Sequence, residues 1–380
     1  MTEEKRMTAL DPSVGADGGR SLKTNCEASI AEEDEEIKRF EELRRELQRM
    51  EDPSSLRTVS MTELFENVYQ RNAPIIDGLL YRGMYLFVGA PKLGKSFLME
   101  QLAYHISTGT PLWGFSVQKG TVLYLALEDN YSRLQSRLYR MFGTAENENL
   151  FLSVSASQLG KGLDEQLAGF LRQHPETSLI IIDTLQKIRE IGGDAYSYAS
   201  DYQIITRLKS FADAHGICLM VVHHTRKQKS DDPFDMVSGT NGLMGAADGG
   251  FLLQKERRTS NTATLEISGR DQQDQRLYLL RNEEKLCWDL DHIETDLWKE
   301  PPEPILEEVA KRITPDCPEW SGSPTELCEF LGTDVKPNAV TQKLNVNAGR
   351  LLREYGIQYW NRRSHTGRQV GLKLIRRDDA

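Results

Sequence analysis

Between Met61 and about Leu290 the chain alternates short apolar runs with longer amphipathic stretches. Tyr85–Val88, Thr121–Leu125, Leu179–Ile182 and Cys218–Val222 are continuous apolar runs bounded by polar, Gly or Pro positions, the pattern of strands buried on both faces. Such strands separated by amphipathic helices predict βαβ units around a mostly parallel sheet, an α/β fold. Gly250–Gln254 and Thr262–Ile267, joined by the polar stretch ERRTSN, predict a hairpin at the edge of that sheet.

The flanks read differently. Residues 1–52 hold fifteen acids against nine bases, and their second half spaces Ile37, Phe40, Leu43, Leu47 and Met50 three or four apart. That spacing predicts a charged helix with one narrow apolar stripe, either a partner or coiled-coil surface or a helix resting on its own domain. Pro301, Pro302 and Pro304 mark a linker. The expected organisation is a segment 1–55, a core 56–295, a linker 296–304 and a module 305–380.

Composition narrows the class. With 380 residues, 39% hydrophobic and 27% charged, the chain is an ordinary globular protein of two or three domains. Its formal charge of −10 excludes a uniformly basic nucleic-acid coat protein. No apolar run approaches the ~18 residues of a spanning helix, and the N-terminus has no secretory apolar core, so a cytoplasmic protein with no membrane partner is expected. The five cysteines are odd in number and lack C-x-x-C spacing, arguing against a disulfide framework or a zinc ribbon.

Chemistry concentrates at the predicted strand ends. Gly89, Ala90, Pro91, Lys92, Leu93, Gly94, Lys95 and Ser96 fit G-x-x-x-x-G-K-[ST] between a strand and an amphipathic stretch that opens with Phe97. Glycines let such a loop turn its N–H groups onto phosphate oxygens, and the helix N-terminus adds partial positive charge. Lys95 is the candidate for the β- and γ-phosphates of ATP, and Ser96 for Mg²⁺. Asp183 ends the run LIIID as a second Mg²⁺ candidate, a helix N-cap being its alternative. Glu128 ends LALEDN on the same edge and is the candidate general base; Asp129 is expected to cap the next helix in competition with Asn130, and the two acids' roles could be exchanged. His223 and His224 end another strand and point to opposite faces, so that one packs while His224 can sense phosphate. Residues 227–242 form a polar loop beyond it.

With GAPKLGKS, LALEDN, LIIIDTLQKIRE, LMVVHHTRK, SGTNGLMGAADG and LEISGRD in that order, residues 75–290 resemble the AAA/RecA-like P-loop ATPases, in particular the RepA-type hexameric helicases of plasmids and mobile elements. The resemblance implies a RecA-like core, a hexameric ring with ATP at subunit interfaces, and single-stranded DNA as partner. It implies that Glu128 activates water and that His224 couples the γ-phosphate to a DNA-facing loop at 227–242. It also implies an arginine finger from a neighbouring subunit, for which Arg270 is the candidate and Arg257 and Arg258 compete.

Residues 336–380 hold ten bases against three acids on this acidic chain. The pattern predicts helices at 304–313, 323–331, 337–344 and 345–355, then a hairpin with the basic tip Arg362, Arg363 and Arg368. Ser323 and Glu326 form a capping box. This looks like a winged helix-turn-helix binding duplex DNA, with Asn347, Arg350 and Arg353 on one recognition face; the alternative is a subunit-contact module. The expected function is an ATP-hydrolysing, RepA-like helicase or translocase in replication of a plasmid, phage or integrative element. The rival readings are a DNA-binding regulator or loader whose ATPase only switches assembly, and, with little support, a small-molecule kinase.

Overall fold

The computed structural model describes residues 56, 58–69, 73–189, 198–224, 241–255, 257, 259–270, 272–294, 301–364 and 367–375. The stripe from Ile37 to Met50, residues 227–240 of the polar loop, Arg258 and the extreme wing tip lie outside them. The chain divides into two units, residues up to Asn67 and from Val68 onward. In the first, helix α1 (Met61–Glu66) starts at a capping box, with the Ser60 hydroxyl accepting from the Glu63 amide and the Glu63 carboxylate accepting from the Ser60 amide.

The second unit is built on a nine-stranded sheet of order β3-β2-β4-β5-β1-β6-β7-β8-β9. Its strands are β1 (Gly83–Gly89), β2 (Thr121–Ala126), β3 (Leu150–Ser153), β4 (Thr177–Asp183), β5 (Cys218–His224), β6 (Gly249–Gln254), β7 (Thr262–Gly269), β8 (Gln272–Arg281) and β9 (Trp288–Ile293). Every pairing from β3 through β6 is parallel, and β6 through β9 pair antiparallel. The expected α/β class with a mostly parallel sheet is therefore present. β1, β2 and β4 are buried at every residue, which is why they read as unbroken apolar runs rather than alternating ones.

Helices α2 (Lys95–Thr108), α3 (Tyr131–Phe142), α4 (Leu163–Gln173), α5 (Leu185–Ile188), α6 (Tyr198–His215) and α7 (Asn241–Ala246) follow the parallel strands. Two apolar clusters lie against the sheet. One gathers α2 with Tyr85, Phe87, Tyr124 and Ile181, the other α4, α6 and α7 with Leu86, Val88, Ile180 and Ile182. Alternate residues of one strand thus enter opposite clusters, as period-2 geometry requires.

Two expectations need correction. The hairpin β6–β7 is not an edge, because β8 and β9 extend the sheet beyond it. β8 was missed because only its alternate positions Gln275, Leu277 and Leu279 are buried, a weak signal beside a continuous run. Further along, α8 (Pro304–Arg312), β10 (Glu319–Gly322), α9 (Pro324–Leu331), α10 (Pro337–Tyr355), β11 (Ile357–Ser364) and β12 (Gly367–Leu374) surround a separate apolar cluster. The two helices expected at 337–344 and 345–355 are one, because Leu344 and Asn345 are both buried at mid-helix and nothing there ends the backbone ladder. The capping box of Ser323 and Glu326 is present at α9.

Candidate active site

The loop between β1 and α2 is built by its glycines. Gly94 heads α2 at φ 98°, in the left-handed region, and no side chain caps the first turn of the helix. Those first-turn amides are the groups that bind phosphate in this kind of loop. A Cβ on Gly89 would meet the Leu253 carbonyl oxygen at 2.7 Å and Lys95 Cδ at 3.4 Å, so only glycine lets the lysine stem fold back over the strand end.

Lys95 is buried, and its ammonium reaches Gly89 O at 2.9 Å, Ala90 O at 3.0 Å and His224 Nδ1 at 3.1 Å. Burial lowers its pKa to about 8, although the nearby charges of Asp183 and Glu128 oppose that shift. The His224 imidazole is held below its ordinary range by burial and by the Lys95 cation, so it is neutral and accepts through Nδ1. His223 is buried on the other face of β5.

At the end of β4, Asp183 Oδ2 accepts from Ser96 Oγ at 2.7 Å and from the Tyr124 hydroxyl at 2.9 Å. Burial raises the Asp183 pKa, while those two hydrogen bonds and Lys95 pull it down. Tyr124 is wholly buried, its phenol raised well above the ordinary value, and it remains a donor. A hydroxyl and a carboxylate in contact are hard oxygen donors of the kind Mg²⁺ takes alongside phosphate oxygens and waters. Among the described residues no group of three or more His, Cys, Asp and Glu forms a self-sufficient metal cage.

Glu128 follows β2 and is exposed, with its Oε1 accepting from Thr184 Oγ1 at 3.2 Å. The expected cap assignment is corrected: Asn130 caps α3, accepting from the Arg133 amide at 3.0 Å. Asp129 is instead gripped by two arginines, Arg133 at 2.7 Å and Arg137 at 2.6 Å. Phe97 lies between guanidiniums, 4.7 Å from Arg137 and 4.3 Å from Arg281.

Sequence reading missed the floor beneath this loop. Trp288, fully buried at the start of β9, packs its indole against Gly94. Its backbone exchanges two hydrogen bonds with the Gln101 side chain, 2.8 and 2.9 Å, and its carbonyl also accepts from Trp113 Nε1 at 2.7 Å. A cavity of about 400 Å³, lined by Gln101, His105, Leu112, Trp113, Asp289 and Leu290, opens further along α2.

The arginine-finger candidates separate by edge. Gly249 pairs with Gly269 and with Tyr85 near the start of β1, so Arg270 stands at the sheet edge opposite the phosphate loop. At ~3.3 Å per residue the strand puts about 20 Å between the two edges. Arg270 is exposed and donates to Gly245 O at 3.1 Å. Arg257, in the β6–β7 turn, stands on the phosphate-loop edge.

In the C-terminal module the expected recognition face is corrected. Arg350 donates to Glu354 Oε1 at 2.7 Å and to Pro301 O at 2.9 Å, with 13% of its side chain exposed. Asn347 donates to Lys343 O at 2.9 Å. The outward positions of α10 include Val346 and Arg353. Arg362 and Arg363 are exposed on β11, Arg362 lies 5.4 Å from the Trp360 ring, and Arg363 pairs directly across the hairpin with Arg368.

Residues 50–230 match the family model of an AAA domain. No curated protein matches the sequence. Among solved structures, one described as an ATPase domain is similar with a TM-score of 0.48 and 15% identity, covering 66% of this chain and 97% of that one. A DnaB-like replicative helicase, described with its interactions with primase, has a TM-score of 0.48 and 16% identity, covering 71% of this chain and 75% of that one. No helix among the described residues is long and apolar enough to cross a membrane.

Proposed function

We propose that the protein is a cytoplasmic Mg²⁺-dependent ATPase of RepA-like helicase type, acting on DNA in the replication of a plasmid, phage or integrative element. The observation that carries the ATPase reading is the convergence of Lys95, the Ser96–Asp183 pair and Glu128 at the end of three parallel strands. ATP phosphates would lie on the amides of the loop from Gly89 to Phe97, with the Lys95 ammonium turned from its carbonyls onto them. Ser96 and Asp183 would hold Mg²⁺, which when bound neutralises developing phosphate charge. Glu128 would orient and deprotonate the attacking water, and His224, in contact with Lys95, would report whether phosphate is present.

Arg270, at the far edge of the sheet, would act as a finger only on a neighbouring copy's site. That geometry supports a ring, taken as a hexamer by resemblance. In this reading residues 56–295 are the ATPase, 296–304 a linker and 305–380 the winged-helix DNA-binding module. The order helix, strand, helix, helix, hairpin in the last module supports the assignment. So do the cations Arg363 and Arg368, brought opposite each other on the hairpin. The basic module also keeps the regulator or loader reading in play.

The decisive experiment is ATP hydrolysis by the full chain alone, with single-stranded DNA and with duplex, using Lys95→Ala as the blank. A translocating ring requires strong stimulation by single strands. A slow rate indifferent to DNA supports the loader, and wild-type turnover by Lys95→Ala overturns the site.

A further inference from the structure

Arg137 occupies a place that no motif marks. It lies in α3, and its two terminal nitrogens serve two different carboxylates: Nη1 meets Glu100 Oε1 and Nη2 meets Asp129 Oδ2, each at 2.6 Å. Glu100 is fully buried in α2, four residues after Ser96 and so on the same side of that helix. Asp129 immediately follows Glu128. Its second oxygen accepts from Arg133 Nε at 2.7 Å and from the Asn130 amide at 2.9 Å, and Arg133 Nη2 reaches the Glu128 carbonyl at 3.0 Å. The Arg137 guanidinium also lies 4.7 Å from the centre of the Phe97 ring, one residue beyond Ser96.

We infer that Arg137 is a positioning residue, which sets the turn carrying Glu128 relative to the helix carrying Lys95 and Ser96. The inference rests on the reading of Glu128 as the general base. Direct contacts run from the phosphate-loop helix through Glu100 and Arg137 to Asp129, whose backbone carries Glu128. Only a planar fork with separated N–H groups bridges two carboxylates in this way while stacking on a ring; a lysine is a single point charge. A buried ion pair is weak evidence for stability, because desolvation of the charges offsets their attraction. Burial pushes the Glu100 pKa up against the pull of Arg137, so this pair is costly to keep dry. Its geometric task accounts for its presence better than its contribution to folding does.

The test is steady-state ATP hydrolysis by full-length Arg137→Lys, Asp129→Asn, Glu128→Gln and the double variant Glu128→Gln/Arg137→Lys. Arg137→Lys keeps a cation opposite Glu100, and Asp129→Asn breaks the bridge at its solvent side should the first variant fold poorly. A misplaced base predicts a kcat lower by about 10²-fold in Arg137→Lys, since errors near 1 Å cost that much. KM for ATP should change by less than about 3-fold, because uniform binding is untouched. In the Glu128→Gln background the Arg137→Lys change should cost nothing further, as it acts through a base already removed. A kcat within about 2-fold of wild type for Arg137→Lys, beside a Glu128→Gln reduced to measurable residual turnover, overturns this inference alone. Equal loss in both backgrounds also overturns it, assigning Arg137 to the fold. Wild-type turnover by Glu128→Gln overturns the reading of the base, and this inference with it.

Discussion

The Lys95 ammonium lies 3.1 Å from His224 Nδ1 and donates its other hydrogens to the carbonyls of Gly89 and Ala90. Those three acceptors use every proton the ammonium has. Phosphate bound to Lys95 would therefore displace His224 or a carbonyl, and β5 ends at His224, the residue proposed to register the exchange. His224→Ala should bind ATP within about 3-fold of wild type yet lose stimulation by DNA, because the lysine keeps two acceptors and loses the one on β5. Nucleotide binding and DNA-stimulated turnover measured on one preparation check this. Stimulation retained in the variant would remove His224 from the coupling.

The low pKa of Lys95, about 8, carries a second prediction. The sign follows from burial: the folded state releases this proton before the unfolded state does, so between pH 8 and the ordinary lysine value near 10.4 unfolding takes up a proton. The stability penalty for burying the cation is fully present below pH 8 and is relieved as pH rises through that window. For binding the direction is opposite. ATP needs the ammonium charged, so its apparent Kd should rise by about tenfold per pH unit above pH 8 and stay flat below it. Titrations from pH 7 to 9.5 test the slope, and Lys95→Arg should abolish it, since guanidinium does not titrate there.

Trp288 is a third point of control, because it supports the phosphate loop from a distant strand. Its indole approaches the position a Cβ on Gly94 would occupy to 3.3 Å, and its backbone is locked to Gln101. Trp288→Ala removes a large buried side chain and should cost about 3–5 kcal/mol of stability. Trp288→Phe should keep most of the fold and raise KM for ATP more than it lowers kcat, by loosening the loop. Thermal melts and ATPase kinetics on both variants separate the effects.

These residues show what the sequence could and could not disclose. That the loop from Gly89 to Ser96, Asp183, Glu128 and His224 share one sheet edge was legible because each follows an apolar run, and parallel strands deliver their ends to one edge. Tyr124 was hidden inside such a run, where an aromatic reads as core; its hydroxyl on Asp183 shows only in three dimensions. Trp288 and Arg281 come from strands about 190 residues after the loop, so no local pattern joins them to it. No local pattern marks Arg137, because Glu100 and Asp129 meet it only once α2 and α3 pack. Asn130 rather than Asp129 took the cap because two arginines already claim the aspartate.

On α10 the structure separates two arginines that sequence spacing had joined. Arg350 is tied to Glu354 and to the Pro301 carbonyl of the linker, whereas Arg353 is exposed. Arg350→Ala should therefore lower the melting temperature of the module and leave the salt dependence of DNA binding unchanged. Arg353→Ala should weaken binding and reduce the slope of log K against log salt by about 1, the signature of one phosphate contact.

The hairpin carries the opposite trade. Arg363 and Arg368 are cross-strand partners in it. Arg363→Gln should leave the melting temperature unchanged while weakening DNA binding and flattening its salt dependence, because it removes one exposed cation placed to meet phosphate. Melting and binding measured at two salt concentrations decide the matter. A variant that melts lower and binds DNA as well as wild type would assign the hairpin cations to folding or subunit contact, and the module to a protein partner.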